Sequence, residues 1–319
     1  MRWAGHGAGC RTALGLSDGA QWHHFWYALL GMNRGGLPLR PRPLIIRGPG
    51  AKGINMDRSP YYGTDKIMAL QRARDAQVAD FADLAGAVIH ARTFSSDDPA
   101  ALGWDYLKKV MADEGMVTLR GADQATIAAA KSELSDFDPR LHVWDLFMAD
   151  AETIRRVCDP IVQNSLPAGM RQISEAEMTP EKAREVQVFL TQQGVSPFST
   201  DALLGRLFPA RLIALQNASD RIAAAGFAAM THNRHSPFFN SAWVGLIAVD
   251  PELRGLGLGK HVDAICNLVA VTELGAAATM EFVAPDNAPS RAMLESCGLR
   301  QVEGKSVVMF STSTDRLTR

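Results

Sequence analysis

Cysteine is scarce and scattered: Cys10, Cys158, Cys266 and Cys297 are all that 319 residues contain. They are spaced too widely for a zinc knuckle and too few for a disulfide framework, so no metal site is expected from them. They read as free thiols of a protein in the reducing cytoplasm. An excess of charge of one sign is also missing. The 33 basic and 34 acidic side chains nearly cancel, and such a chain lacks the positive field that nucleic acid or an anionic membrane surface attracts. No run reaches the roughly 18 apolar residues of a membrane span. Tyrosine is limited to Tyr27, Tyr61, Tyr62 and Tyr106, so the C-terminal half has no phenol for acid–base work. What is present is ordinary: 47% hydrophobic and 21% charged residues, enough for a sizeable core and, at this length, about two domains.

Composition changes sharply near residue 55. Residues 1–55 hold seven basic side chains against the single acid Asp18, with 11 of the 27 glycines. They show neither helical nor strand periodicity, and the proline-bearing run at residues 37–43 blocks both. This extension is expected to be unstructured, or to precede a true translation start at Met56. Residues 56–167 then read as a mixed α/β or mainly helical accessory module. A long helical pattern runs from Thr64 to about His90, with Arg74 interrupting its apolar stripe. Ser96 begins an N-cap run, with Asp97, Asp98 and Pro99 opening a second helix to about Glu114. Residues 116–120 and 141–148 read as strands, residues 125–137 as a helix, and Asp150 caps another helix that Pro160 bends. His142 and Asp145 are an acid–base pair by type, but three apart on a strand they face opposite sides.

From residue 168 to 319 the pattern carries chemistry. Residues 170–177 begin a strand, and Thr179 with Pro180 starts a helix. Strand patterns follow at residues 210–217, 221–231 and 241–250, the first two joined as a hairpin and the last apolar throughout, as in a strand buried on both faces. That strand runs into Val249-Asp250-Pro251-Glu252-Leu253-Arg254-Gly255-Leu256-Gly257-Leu258-Gly259-Lys260, and a helix opens from the turn. A helix N-terminus leaves about four amide N–H groups unpaired and carries about half a positive charge. Glycines let a pyrophosphate approach that backbone without meeting a Cβ, and Arg254 and Lys260 add charge. A Walker A loop is excluded, because Arg254 stands where its first glycine belongs and His261 where its Ser/Thr belongs. The dinucleotide fingerprint fails as well, since Lys260 occupies its last glycine.

Arg-x-x-Gly-x-Gly does fit, at Arg254, Gly257 and Gly259. It resembles the acyl-CoA pyrophosphate loop of the GNAT (general-control-related N-acetyltransferase) superfamily. The resemblance extends over residues 168–319, through a strand at 278–287, an Asn-initiated helix closing on Gly298 (residues 287–299) and a last strand at 300–312. It implies an α/β fold with a mixed, mostly antiparallel sheet flanked by helices. It also implies that backbone groups of Ile247, Ala248 and Val249 pair with the pantetheine arm of acetyl-CoA, one N–H polarising the thioester carbonyl. Arg254, Gly255, Leu256, Gly257, Leu258, Gly259 and Lys260 would cradle the pyrophosphate, with Asn287 and Ser290 at the arm. The residue-level reading of Asn287 as a plain N-cap stands beside this.

The implied reaction is direct attack of a primary amine, from a small molecule or an amino terminus, on the thioester. A lysine-like amine of pKa about 10.4 needs about 4–5 kcal/mol to deprotonate at pH 7, an α-amine near 8 about 1.4. Many relatives place a tyrosine acid on the last helix; that position is Leu294 here, with Ser296 and Cys297 the nearest substitutes. Some place a glutamate base one residue beyond Glu281, at Phe282, so Glu281 needs a bulge near Pro285 to turn to the same side. His232 and His235 are alternatives by pKa, though the same pair also reads as part of a solvated loop. The expectation is a cytoplasmic acetyl-CoA-dependent transferase, compatible with a homodimer. Its rivals are a non-catalytic acyl-CoA-binding domain and an enzyme acting on protein amino groups.

Overall fold

Short oxygen-bearing side chains start most of the helices, because they satisfy amides that the first turn leaves unpaired. In the computed structural model, which describes residues 59–89 and 92–313, Thr64 accepts from the Ile67 amide at the head of α1 (Asp65–Phe81). Asp98 caps α2 (Pro99–Leu102), and α3 (Trp104–Glu114) follows Gly103. Asp123, Asp150, Thr179 and Ser199 cap α4 (Gln124–Glu133), α5 (Ala151–Gln163), α6 (Pro180–Gln192) and α7 (Thr200–Leu203). The N-cap of α8 (Leu258–Thr272) is Gly257, which offers no side-chain bond, whereas Asn287 caps α9 (Ala288–Ser296). The N-terminal extension and the start expected at Met56 lie outside the described residues.

Two helices differ from expectation, both for backbone reasons. The first stops at Phe81 rather than near residue 90. Gly86 turns the chain at φ +76°, where a Cβ would collide with the Asp98 carbonyl. The second begins at Pro99, within the run expected to open it, but is split at Gly103, whose φ is 93°. Arg74, the interruption in the α1 stripe, is buried and paired with Glu114 of α3. Its guanidinium lies over the rings of Phe81 and Phe94.

The described strands are β1 (Ala87–Val88), β2 (Ser95–Ser96), β3 (Met116–Ala122), β4 (Arg140–Asp150), β5 (Arg171–Gln172), β6 (Ala210–Gln216), β7 (Ile222–Met230), β8 (Ser241–Val249), β9 (Ala278–Val283) and β10 (Arg300–Ser311). They form one sheet in the order β1-β2-β3-β10-β4-β9-β8-β7-β6-β5. Only the β2–β3 and β8–β9 pairs are parallel. β4 lies between β9 and β10, pairing Asp145 to Val283 and Asp150 to Ala278 on one side and Met148 to Arg300 on the other. The sheet therefore runs unbroken across the junction at residues 167 and 168, and the described residues fall in one compact unit. No described helix is long and apolar enough to cross a membrane.

Helices cover both faces. On one side Val262, Ile265 and Cys266 of α8 pack on Ala224 and Ala228 of β7 and Val244 of β8, with α5 alongside. On the other, Val186, Phe189 and Leu190 of α6 join Phe198, Phe227 and Trp243. β7 is buried along nearly its whole length, and its run of alanines lets helices approach from both sides.

Candidate functional site

The site begins where two parallel strands part. β8 and β9 pair at Ser241↔Ala278, Ala242↔Thr279 and Trp243↔Met280, and no further. Beyond that fork β8 stays with β7, but the register slips: Ala225 faces Ala248 while Phe227 faces Gly245. Leu246 and Ile247 thus oppose the single residue Gly226, which is a β-bulge. Bulges release a strand from one partner and re-aim its backbone. Leu246 sits at φ 55°, a left-handed conformation that is uncommon for a leucine and costs energy. A Cβ on Gly226 would lie 2.7 Å from Ile247 Cδ1, Val262 Cγ1 and Cys266 Sγ, so the bulge has room only because that residue is glycine.

The fork opens into a cleft of about 250 Å³. Val244 to Ile247 line one wall and Glu281 to Ala284 the other, with Asn287, Ser290, Met293 and Leu294 of α9 along one edge. Of the residues expected to meet the pantetheine arm, Ile247 lines this cleft, Ala248 is buried, and Val249 touches the Gly259 position (3.4 Å from its virtual Cβ). Asn287 does act as the N-cap, its Oδ1 accepting from the Ser290 amide at 3.2 Å, and both residues line the cleft. Leu294 is buried at the tyrosine position. Ser296 donates to the Met293 carbonyl of its own helix, and Cys297 is buried with its thiol turned to the Lys260 carbonyl of α8 at 3.7 Å.

At the end of β8 a short turn (Pro251–Leu253) leads into the glycine loop. Gly255 and Gly257 have φ of +82° and +79°, and a Cβ on either would meet nothing within 4 Å. Arg254, Leu256 and Lys260 are exposed around them, while Leu258 is anchored in the core. With no side chain capping α8, its first amides are free to meet an anion. Met293 Sδ lies 3.4 Å from the Gly259 position, so α9 closes against the loop and joins it to the cleft.

Glu281 borders the cleft, but its carboxyl is turned toward α8. Its carboxyl accepts from Asn267 Nδ2 of α8 at 3.0 Å and is buried. The β4–β9 register runs without a slip from Ala278 to Val283, so no bulge within β9 turns it over. Phe282 takes the opposite face, against Trp243. Burial, and then the neighbouring Asp263, push the Glu281 carboxyl well above the usual range. Burial also lifts Asp263 to about 6 from 3.8. A carboxyl with a raised native pKa binds more protons folded than unfolded, so its contribution to stability falls as pH rises from about 4 to about 6. Asp263→Asn is therefore expected to gain stability relative to the parent at pH 8 and not at pH 4. Urea unfolding at the two pH values checks this; an equal difference at both would refute it.

His232 is buried rather than part of a solvated loop: it forms a bridge with Val88, and burial holds it neutral, its pKa well below normal. His235 is exposed and bonded to Asp83 at 3.0 Å. The wall facing the fork holds residues that composition did not single out. Arg92 and Arg120 both line the cleft, with Thr93, Ser95, Thr118, Trp144 and Trp243. The one sequence signal was Arg120 itself, a charge at the end of an apolar strand pattern.

A mixed sheet with a forked parallel pair, a bulge at the fork and a glycine-started helix defines the α/β acyltransferase type of fold. Residues 187–299 match the model of the acetyltransferase (GNAT) family. No curated protein matches the sequence. Among solved structures, a Drosophila protein is similar at 12% identity and a TM-score of 0.47, over 77% of this chain and 89% of that one. A GCN5-related N-acetyltransferase from Kribbella flavida is similar at 15% identity and 0.45, over 76% and 95%. A tandem GNAT protein from the clavulanic acid biosynthesis pathway is similar at 15% identity and 0.45, over 70% and 76%.

Proposed function

We propose that the chain transfers an acetyl group from acetyl-CoA to a primary amine of a small molecule or an amino terminus. The observation that carries this is the continuity from the fork and its bulge, past Val249, to the uncapped start of α8. The co-substrate supplies an activated thioester. Residues 254–260 would hold its pyrophosphate through backbone amides and the charges of Arg254 and Lys260. The freed edge of β8 at Ile247 to Val249 would pair with the pantetheine arm like an added strand. A bulge N–H at the fork would polarise the carbonyl. The amine nitrogen then bonds to the carbonyl carbon as the carbon–sulfur bond breaks, and positioning supplies much of the rate.

Proton transfer would run through solvent. Leu294 offers the departing sulfur no proton, and the Glu281 carboxyl is buried and bonded to Asn267 of α8. This favours an acceptor whose amine has a pKa near 8 over a lysine-like one. The buried Leu294 also favours a second reading, a domain that binds acyl-CoA without turning it over. Thiol release from acetyl-CoA, followed with a chromogenic disulfide over a panel of amines and peptides, separates the two. Acceptor-dependent release supports the transferase. Tight acetyl-CoA binding with no release from any acceptor would leave only the binding domain.

A further inference from the structure

We infer that the acceptor carries a carboxylate close to its amine, held by Arg92 and Arg120 on the wall of the cleft that faces the fork. The inference rests on the transferase reading for where the amine lies. Both arginines are buried, at 8% and 3% exposure, yet both line the cavity. Charged side chains are almost never buried unless paired, and no described carboxylate forms an ion pair with either. Arg92 donates to the Ser196 carbonyl at 2.8 Å and lies over the Phe198 ring. Arg120 reaches the Thr231 hydroxyl at 3.3 Å and lies over Trp243 and Phe282. The Nε atoms of both arginines, and the Ser95 hydroxyl beside them, have no partner among the described residues.

The charges around this wall leave a positive excess. Asp97 is near enough to favour the charged form of Arg120, but its own carboxyl is raised by burial and bonded to Ser236. His232, also beside Arg120, is neutral. Arg92 is close enough to disfavour the charge of Arg120. Two guanidiniums with unused donors and a free hydroxyl match a carboxylate, which accepts about four hydrogen bonds and pairs with Arg in a fork geometry.

The placement ties this anion to the reacting end of the site. Arg120 sits over Trp243 and Phe282, which stand on either side of the fork, where β8 and β9 part beside the bulge. A carboxylate bound there would hold an amine only a few bonds away against the thioester carbonyl. The cleft is small, so the acceptor is amino-acid-like rather than a long polyamine, and the Trp144 and Trp243 rings offer its side chain an apolar wall.

Product analogues test this in the full chain without requiring turnover. N-acetylglycine, N-acetylalanine and N-acetylleucine would each be titrated calorimetrically beside the corresponding amide. At least tenfold tighter binding of the carboxylates is expected, lost in Arg120→Gln and Arg92→Gln variants that keep the parent's circular dichroism. Because the acid–amide comparison is made on the parent, the test survives a variant that fails to fold. Equal binding of acid and amide, or no binding of any of the acids, would overturn the inference. Preferential binding of phosphoethanolamine would replace the carboxylate with a phosphate and overturn it too. Failure of the transferase reading looks different: no acceptor releases thiol, whether or not the carboxylates bind.

Discussion

Gly257→Glu is expected to weaken acetyl-CoA binding at least about 100-fold, about 2.7 kcal/mol, while the chain stays folded. Gly257 is the N-cap of α8 at φ +79°, and a Cβ there meets nothing within 4 Å. A side chain is therefore accommodated at a conformational penalty of about 1–2 kcal/mol. Its carboxylate would stand at the positive end of the helix, where the pyrophosphate is proposed to sit, and would compete for the same amides. Calorimetric titration of acetyl-CoA into parent and variant, with thermal unfolding as the folding control, makes the measurement. A folded variant that binds like the parent would remove the pyrophosphate from this loop. A Gly255→Glu variant, also in open space, gives a second reading if the first unfolds.

The largest effect on stability is expected at Arg74, far from the loop. Arg74→Ala should destabilise the chain by about 3–5 kcal/mol, because it leaves the partly buried Glu114 without its partner. Burial acts on both members, lowering the arginine's pKa and raising the carboxyl's. Such a pair pays heavily in lost hydration, so replacing both members should do less harm than removing one. The double variant Arg74→Met, Glu114→Leu is expected to recover most of the loss, with the methionine keeping contact with Phe81 and Phe94. Urea unfolding of the single and double variants checks this. A double variant as unstable as Arg74→Ala would show that the guanidinium matters through its aromatic contacts instead.

Arg74 also marks the kind of residue that a linear reading misjudges. Along α1 it looks like a break in the apolar stripe, because periodicity registers residue type and not what α3 will bring opposite. Glu281 and Arg120 are parallel cases. Alternation along β9 places Glu281 and Phe282 on opposite faces, but which face meets α8 and which meets the cleft depends on the helices that cover the sheet. Arg120 ends a strand pattern as any surface residue might, and becomes a cleft residue only because β10 and β4 carry β3 into the same sheet as β8.

What the chain's order of residues determined by itself is local and strong. The helix starts at Thr64, Asp150, Thr179 and Asn287, the apolar strand β8 and the glycine turn into α8 each follow from a few adjacent residues. Capping and glycine geometry need no distant partner. Those same signals located the loop at residues 254–260 and the family resemblance. The tertiary structure alone decided that β4, from the N-terminal segment, lies between β9 and β10. It alone decided the bulge at Leu246 and the pairing of Arg92 with Arg120 across one wall of the cleft. β4 meets both neighbours through residues more than a hundred positions apart, and the bulge and the cleft wall depend on partners brought together only when the strands pair.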